Sequence, residues 1–400
     1  MTAALAILTN IAIILLLGLA CTILSKKLKI SNVLILIVLG LILKSINYKG
    51  NQLFEFSPTF LIAISILALA MITFDGASRL NLKEFNQFST NAVKLVFGFI
   101  LANTVLLTIF TNLLFYETFT FNTLIFSLIF AVTMAGTDPG AVFSMLRDKT
   151  HKVIQMLKIE AIMNTPIIVL VPFILLDLVV EAENATILES FASQTIPFLR
   201  QIVVGIGAGV IIGIVIFKAM KNAYEHNLSP LGIITATLLS YILAENLGGN
   251  GVLSVATMGL LFGNMYVRRK ITLQEFSSTL SNSLEILVFV LLGFLINIEL
   301  SLVFIAKSLV LFVILVISRK LAVFTVLRNK DYTWKQMTFM ALNMPKGMAV
   351  AVVAFSFTFQ NIPGLNIILD LMLMFILYSL ILSSIIDRFS KHFINLELEA

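Results

Sequence analysis

Long apolar runs alternate with short polar segments along almost the whole chain. Most runs hold about 17 to 25 residues, the length of a helix that crosses a bilayer. We therefore predict an all-α polytopic membrane protein with thirteen transmembrane helices. Their predicted limits are 3–24, 32–43, 58–78, 91–115, 121–146, 153–180, 196–217, 231–247, 251–267, 284–296, 302–327, 336–359 and 365–386. The second and tenth runs are short, which predicts tilted or partly re-entrant segments.

The loops between these runs differ in charge according to the side of the membrane on which they would lie. With the N-terminus outside, most Lys and Arg residues fall in the inward loops, and only Lys44 and Lys49 fall in the outward ones. The outward loops carry acidic residues instead. This sorting follows the positive-inside rule. We therefore predict a multi-pass protein of the cell (plasma) membrane, with the N-terminus outside and the C-terminus cytoplasmic.

The composition restricts the classes of protein to consider. Hydrophobic residues make up 59% of the 400 residues and charged residues 12%, far from the values of soluble proteins. The net charge of +6 is explained by the inward loops, so we expect a lipid bilayer and no nucleic acid as partner. The single cysteine excludes an internal disulfide. The sequence shows no nucleotide, haem or zinc motif and no nucleophile–base grouping, so we expect no cofactor and no enzymatic activity.

The fifth run contains a segment that cannot continue as a regular helix. Residues 134–147 read MAGTDPGAVFSMLR, with Pro139 beside Gly140 and an acid at Asp138. Proline removes a backbone donor and clashes with the preceding turn, and glycine lowers helix propensity. An acid at membrane depth is costly and usually faces a cavity or a partner. A broken helix with an acid at its break is the expected form of a cation site in a secondary transporter. The plainer alternative is a proline-kinked helix whose acid reaches water.

The twelfth run has a corresponding break at residues 343–347, which read NMPKG. The two breaks lie seven spans apart, so their helices cross the membrane in opposite directions. Two broken helices in corresponding places of inverted halves indicate an alternating-access site. Asp138 would offset helix N-termini exposed at the breaks, and Lys346 would offset exposed C-termini. For Lys346 we favour this structural role without a part in transport.

Buried polar residues of several spans fall at one predicted depth. Asp138, Asn164, Arg319 and Lys346 each lie about ten residues from the cytoplasmic end of their own span, and Glu160 lies about seven, which at about 1.5 Å per residue is roughly 10–17 Å deep. That is near the middle of a hydrocarbon core about 30 Å thick. Glu160 shares a helix face with Asn164, and Arg319 is its natural partner. We predict that Glu160 and Arg319, with Asn164, form an architectural brace; direct participation in transport is the alternative.

Asp75 lies near the cytoplasmic end of the third span. It would line an inward funnel and attract cations if it faced a cavity. The alternative is an exposed acid at a helix end, and the sequence favours neither.

Four glycines of the seventh run are closely spaced, namely Gly205, Gly207, Gly209 and Gly213. Small residues at such spacing predict close helix packing or flexing. They follow no predicted strand, which excludes a dinucleotide-binding fingerprint.

Six segments carry a resemblance to a known family. They are FDGASRLNL (74–82), GTDPGAVFSMLRD (136–148), IEAIMNTPI (159–167), GGNGVLSVATMGLLFGN (248–264), SRKLAVF (318–324) and NMPKGMAVAVVA (343–354). Together they resemble the NhaP-type sodium/proton antiporters, monovalent cation:proton antiporters related to the eukaryotic sodium/proton exchangers. The resemblance covers nearly the whole chain. Each segment alone would be weak, but their combination is specific.

The resemblance implies an antiporter fold of thirteen helices with inverted repeats and two crossed broken helices, usually in a homodimer. The chain 1–400 would be a single integral membrane transporter domain. Its implied parts are a dimerisation or scaffold part at 1–80 and 229–298, a transport core at 91–181 and 302–388, and a linking helix at 196–218.

The resemblance also assigns site residues. Thr137 and Asp138 match cation-site positions of the family. A structural polar cluster of the family, beside that site, is matched by Glu160, Asn164 and Arg319. The chain departs from the family at Thr165, which stands where the family has its principal cation- and proton-binding aspartate. Threonine offers a neutral oxygen but cannot carry a proton.

These observations lead to a main hypothesis and two alternatives. We predict a secondary active transporter in which Asp138 binds a monovalent cation (Na⁺ or K⁺, with Li⁺ also suited) or a proton in turn, giving one-for-one exchange. Thr137, Asn164 and Thr165 would supply neutral oxygen ligands. The first alternative is a proton-coupled carrier of an anion or small solute, because Thr165 is neutral and basic side chains lie nearby. The second is a non-transporting membrane sensor or subunit, which the short segment after the last span disfavours.

Overall fold

The computed structural model describes residues 2–28, 31–48, 51–52, 56–79, 82–138, 142, 152–181, 187–222, 228–295, 301–328, 332–358, 360 and 362–394, and within them the chain is almost entirely helical. The helices are α1 (Thr2–Leu28), α2 (Asn32–Ser45), α3 (Pro58–Ser78), α4 (Leu82–Thr111), α5 (Phe121–Thr133), α6 (Lys152–Glu181), α7 (Ile187–Asn222), α8 (Leu228–Asn246), α9 (Gly251–Asn264), α10 (Lys270–Leu295), α11 (Leu302–Leu327), α12 (Trp334–Leu342), α13 (Met348–Thr358), α14 (Leu365–Arg388) and α15 (Ser390–Phe393). A π-helical turn, Asn112–Tyr116, continues α4. A short hairpin pairs β1 (Asn47–Tyr48) antiparallel with β2 (Asn51–Gln52).

The predicted apolar runs coincide with these helices. Every run overlaps a helix, and the limits of the third and eleventh runs are those of α3 and α11. α4 and α7 begin before their runs, at Leu82 and Ile187. Nine helices of the described residues are long and apolar enough to cross a membrane, and four shorter apolar helices accompany them. The all-α membrane fold is therefore confirmed, while the number of thirteen crossings stays a prediction.

The prediction of a short tenth span is wrong. α10 holds 26 residues, because it also includes the polar sequence before Leu284. Two polar side chains of this first half donate to backbone carbonyls of α3. Gln274 Nε2 lies 2.7 Å from the Ser78 oxygen, and Ser281 Oγ lies 3.1 Å from the Met71 oxygen. The helix extends into polar sequence because the partly buried Gln274 and the buried Ser281 have hydrogen-bond partners on the neighbouring helix.

The chain forms two compact units. The first comprises Met1–Ser65, Thr90–Ile168 and Ile286–Ala400, and the second comprises Ile66–Ser89 and Val169–Glu285. The division into scaffold, core and linking helix that the resemblance implies stays a prediction.

Within the first unit, α14 is the central helix and contacts α2, α5, α11, α12 and α13. Phe375 of α14 lies edge-on to Phe130 of α5 and to Phe312 of α11, with ring centroids 4.9 and 5.4 Å apart. All three rings are buried. Such edge-to-face pairs contribute about 0.5–1.5 kcal/mol each. They hold α14 against two of the helices that surround the site described below.

Within the second unit, α7, α8 and α9 pack closely around glycines of α7. A methyl group at Gly205 would lie 2.8 Å from the Asn250 carbonyl oxygen, and one at Gly209 would overlap the Ser254 carbonyl. A methyl group at Gly207 would meet nothing within 4 Å among the residues that the structure describes. The predicted close packing is therefore confirmed at Gly205 and Gly209 but not at Gly207.

Candidate cation site

The first helix break begins where α5 ends at Thr133. The amides of Ala135 and Gly136 turn back to nearby carbonyls of α5, and residues 136–138 are not helical. The Val142 amide donates to the Asp138 carbonyl at 3.0 Å, the spacing of a helical turn. Pro139 and Gly140, to which the break was partly attributed, lie outside the described residues. The predicted interruption of this span is confirmed.

The second break lies between α12 and α13, at residues 343–347. It meets the first break through the backbone: the Asp138 amide donates to the Pro345 carbonyl at 2.8 Å. Pro345 ends α12 because proline has no backbone N–H to continue a helical ladder. The two interrupted segments therefore cross at Asp138.

The Asp138 side chain is 5% exposed and lies against Gly347 of the second break. A methyl group at Gly347 would overlap the carboxylate and would lie 2.7 Å from the Asp138 Cβ. The absence of a side chain at Gly347 thus makes the space that the carboxylate occupies. This contact joins the acid to the opposite half of the crossing.

Thr137 and Asn164 are neighbours beside this carboxylate-bearing segment. The Thr137 amide donates to Asn164 Oδ1 at 3.5 Å, a long hydrogen bond. Thr137 Oγ1 and Asn164 Nδ2 are both buried and have no hydrogen-bond partner in the part of the chain that the structure describes. Buried polar groups are normally paired, so these two atoms can still interact with a ligand or water.

Lys346 is fully buried and is bound to both breaks. Its ammonium donates to the Gly136 carbonyl at 2.5 Å, just beyond the end of α5, and lies 5.6 Å from the centre of the Phe99 ring. Its backbone amide donates to Ser379 Oγ of α14 at 2.9 Å. A cation on a carbonyl at the end of a helix offsets the negative end of the helix dipole. This geometry favours the structural role that we expected for Lys346.

Glu160 of α6 and Arg319 of α11 form the predicted ion pair. Arg319 donates from both terminal nitrogens, one to each carboxylate oxygen, with Nη2 to Oε2 at 2.5 Å. Both side chains are fully buried, and the guanidinium lies 4.7 Å from the centre of the Phe99 ring. A bidentate pair has fixed geometry as well as charge attraction. The ring of Phe99 thus lies within contact distance of two buried basic side chains, Arg319 and Lys346.

The two remaining candidate residues have local partners. Thr165 Oγ1 donates to the Ala161 carbonyl of its own helix at 2.7 Å, which leaves its lone pairs for accepting. Asp75, in the second unit, accepts two hydrogen bonds from Arg79, at 3.1 and 3.2 Å. This pairing offsets the charge with which Asp75 would attract cations. Its role as a funnel acid stays a prediction.

Sequence reasoning missed three contributors to the crossing, namely Phe99, Gly347 as a contact of Asp138, and Ser379. Ser379 is one of several polar residues of α14, among them Asp370 and Ser383, so the sequence did not single it out. Nothing in the sequence distinguishes Phe99 from the many other phenylalanines.

Two interrupted helices that cross at a buried acid define the class of ion-coupled secondary transporters built from broken helices. Residues 11–388 match the family model described as sodium/hydrogen exchanger, transmembrane. The chain therefore belongs to the sodium/hydrogen exchanger family. The resemblance to NhaP-type antiporters is confirmed.

The relatives differ in the cation that their names carry. The K(+)/H(+) antiporter NhaP2 of Shewanella baltica is 26% identical over 364 residues, 89% of this chain and 61% of that protein. The Probable Na(+)/H(+) antiporter 2 of Methanocaldococcus jannaschii is 28% identical over 296 residues, 69% of this chain and 66% of that protein. The chain thus spans only 61% of the length of the NhaP2 relative. These relatives are transporters, not enzymes.

A solved structure shares the fold. The sodium proton antiporter MjNhaP1 of Methanocaldococcus jannaschii superposes with a TM-score of 0.78 at 22% sequence identity, over 97% of this chain and 99% of that one. The expected antiporter fold is therefore confirmed.

Proposed function

We propose that this protein is a secondary active transporter that exchanges a monovalent alkali cation for protons by alternating access. The observation that carries the proposal is the buried acid Asp138 at the crossing of two interrupted helices, in a chain of the sodium/hydrogen exchanger family. A carboxylate in this position binds a metal cation or a proton but not both. Competition at one group couples the two fluxes, one cation for one proton.

The ligands around the cation come from neutral oxygens as well as the acid. Thr137 Oγ1 has no hydrogen-bond partner within the described residues, and Thr165 keeps its lone pairs. Among the same residues, the bond that Asn164 Oδ1 accepts is the long one from the Thr137 amide. Hard oxygen donors of this kind suit Na⁺, K⁺ or Li⁺. Glu160, Arg319 and Lys346 brace the crossing without binding the transported ion.

The wider arrangement follows the family. The transport core, 91–181 and 302–388, moves against a scaffold, 1–80 and 229–298, which also forms a homodimer. The helix at 196–218 links them. The protein lies in the plasma membrane with the N-terminus outside and the C-terminus cytoplasmic, in agreement with the distribution of Lys and Arg.

The alternative, a proton-coupled carrier of an anion or small solute, needs a positive group available for the substrate. Arg319 is held by Glu160 on both terminal nitrogens, and Lys346 is held by the Gly136 carbonyl. An incoming anion would have to displace these buried contacts. The cation is therefore the favoured substrate.

The test is a flux assay on the purified protein in vesicles containing a pH-sensitive dye. Pulses of Na⁺, K⁺ and Li⁺ should move protons for at least one cation. Asp138→Asn should abolish this movement, while Glu117→Gln, which removes an exposed acid paired with Lys307, should leave it intact. A folded wild-type protein that responds to no alkali cation would refute the proposal. A D138N variant that still binds a solute without moving protons would support the anion carrier.

A further inference from the structure

One stretch of α4 and its π-helical turn carries an unusual set of buried polar side chains. Between residues 103 and 112, five oxygens are buried without a hydrogen-bond partner in the described residues: Asn103 Oδ1, Thr104 Oγ1, Thr108 Oγ1, Thr111 Oγ1 and Asn112 Oδ1. We call these five residues the α4 polar stripe. Thr104, Thr108 and Thr111 are four and three residues apart, so they lie along one face of the helix, and Asn103 and Asn112 flank this face on its two sides.

Many threonines in other helices behave differently, although Thr237 of α8 also has a buried hydroxyl without a partner in the described residues. The hydroxyls of Thr133, Thr165, Thr325 and Thr338 each donate to the carbonyl four residues earlier, at 2.7 to 2.9 Å. This local bond is the ordinary way to satisfy a hydroxyl within an apolar helix. The threonines of the α4 polar stripe do not form it, so their oxygens keep their full capacity for another partner.

The inner end of the stripe adjoins the crossing. Asn103 Nδ2 donates to the Ala131 carbonyl of α5 at 2.7 Å, close to where that helix ends. One turn away on α4 is Phe99, whose ring lies against both Arg319 and Lys346. The other end, Asn112, is nine residues further along the helix, roughly 13 Å at about 1.5 Å per residue. In the predicted topology this end faces the outside.

Buried polar oxygens without partners are costly, and a helix in lipid would normally carry apolar residues there. Neutral oxygens in such a group can nevertheless bind one kind of ligand, because alkali cations and their waters are held by oxygens of this type. We propose that the α4 polar stripe is the outward route by which hydrated monovalent cations reach Asp138, and that this route is closed in the present structure. The proposal rests on the proposed function and identifies the path to its site.

Cysteine labelling tests the route directly, because Cys21 is the only cysteine. In a Cys21→Ala background, Thr104, Thr108 and Thr111 are changed one at a time to Cys. Matched controls on the same helix are Leu101→Cys, Val105→Cys and Ile109→Cys, whose native side chains are 69%, 51% and 49% exposed on the surface of the chain. Thr118→Cys, in an exposed connection, serves as the accessible reference.

A membrane-impermeant thiosulfonate reagent is added to the outer face of vesicles of known orientation. The reagent reacts only with the thiolate form of cysteine, and a thiolate forms where water is present. The stripe positions should therefore label at least about tenfold faster than the surface controls. A saturating cation should slow this labelling. Stripe positions that label no faster than the controls, or only from the inner face, would overturn the proposal. Labelling does not depend on ion exchange. A protein that labels along the stripe but exchanges no cation would therefore refute the proposed function while supporting the proposed route.

A second measurement separates a route from a packing defect. Thr104→Val and Thr108→Val keep the side-chain shape and remove the oxygens. If the stripe conducts cations, each variant should raise the apparent KM for external cation several-fold and leave the KM for internal cation unchanged. If both variants have unaltered KM values on both sides, the unpaired hydroxyls do not contribute to the passage of cations and the proposal is refuted.

Discussion

Gly347 provides a test of whether the contact across the crossing positions the site acid. A methyl group at this position would overlap the Asp138 carboxylate and lie 2.7 Å from its Cβ. The backbone cannot easily move apart, because the Asp138 amide is bonded to the Pro345 carbonyl at 2.8 Å. In Gly347→Ala, the carboxylate must therefore rotate away or the crossing must open.

The magnitude follows from the cost of overpacking. Extra methylenes in a packed interior cost about 1–3 kcal/mol. If this energy opposes the cation-binding position of the carboxylate, cation affinity falls by about 5- to 150-fold. If it opens the crossing instead, the same energy appears as lost thermal stability. Gly98→Ala is the matched control, because within the described part of the chain its methyl group would meet Val326 Cγ2 at an ordinary 3.4 Å and nothing nearer.

The assay is the vesicle flux measurement, with KM for the cation and melting temperature recorded on the same preparations. Gly347→Ala should show a raised KM or a lowered melting temperature, and Gly98→Ala should show neither. A G347A protein with normal KM and normal stability would refute the reasoning. It would mean that the acid does not rely on the space at Gly347.

Three further outcomes are expected. Glu160→Gln leaves Arg319 as an unpaired buried charge, so we expect a loss of about 3–5 kcal/mol in denaturant unfolding, largely recovered when Arg319→Met is added; a fully additive double variant would contradict the pairing. Gly209→Ala should destabilise by about 1–3 kcal/mol and Gly207→Ala should not, as judged by melting temperature; equal effects would contradict the packing of α7 on α9. With one proton displaced per cation at Asp138, the apparent KM for the cation should rise about tenfold per pH unit on the acid side, and an imposed membrane potential should leave the rate unchanged; a steeper slope would require a second titrating group.

The positions of the breaks were predictable because local chemistry determines them. Pro345 lacks the N–H that a helix needs. An acid such as Asp138 within an apolar run is costly unless it faces a cavity or a partner. The Glu160–Arg319 pair was predictable for a similar reason. Buried charges are rare in membrane helices, and an unpaired one is expensive, so two opposite charges at the same depth imply each other.

The remaining features depend on contacts between distant segments. The polar start of α10 is helical because Gln274 and Ser281 have partners on α3, and no periodicity in the sequence reveals those partners. The need for a glycine at position 347 becomes evident only when the structure shows the Asp138 carboxylate lying against it. The α4 polar stripe is invisible in sequence for a further reason. A threonine in an apolar helix ordinarily bonds to its own backbone, and only coordinates show that Thr104 and Thr108 do not.

If Asp138 is the site acid, as we propose, a neutral Thr165 is compatible with exchange, and the reason lies in the charges of the first unit. Glu160 and Arg319 neutralise each other, and Lys346 is held on a helix-end carbonyl. With an acid at position 165, an arriving cation could displace two protons and leave a different charge behind. With Asp138 as the site acid, each cation displaces one proton, so the cation-loaded and proton-loaded sites carry the same charge. Both forms then cross the low-dielectric interior at the same electrostatic cost, and the membrane potential does no net work on the cycle. A neutral residue at Thr165 is therefore compatible with the proposed one-for-one exchange, in which concentration gradients alone provide the driving force.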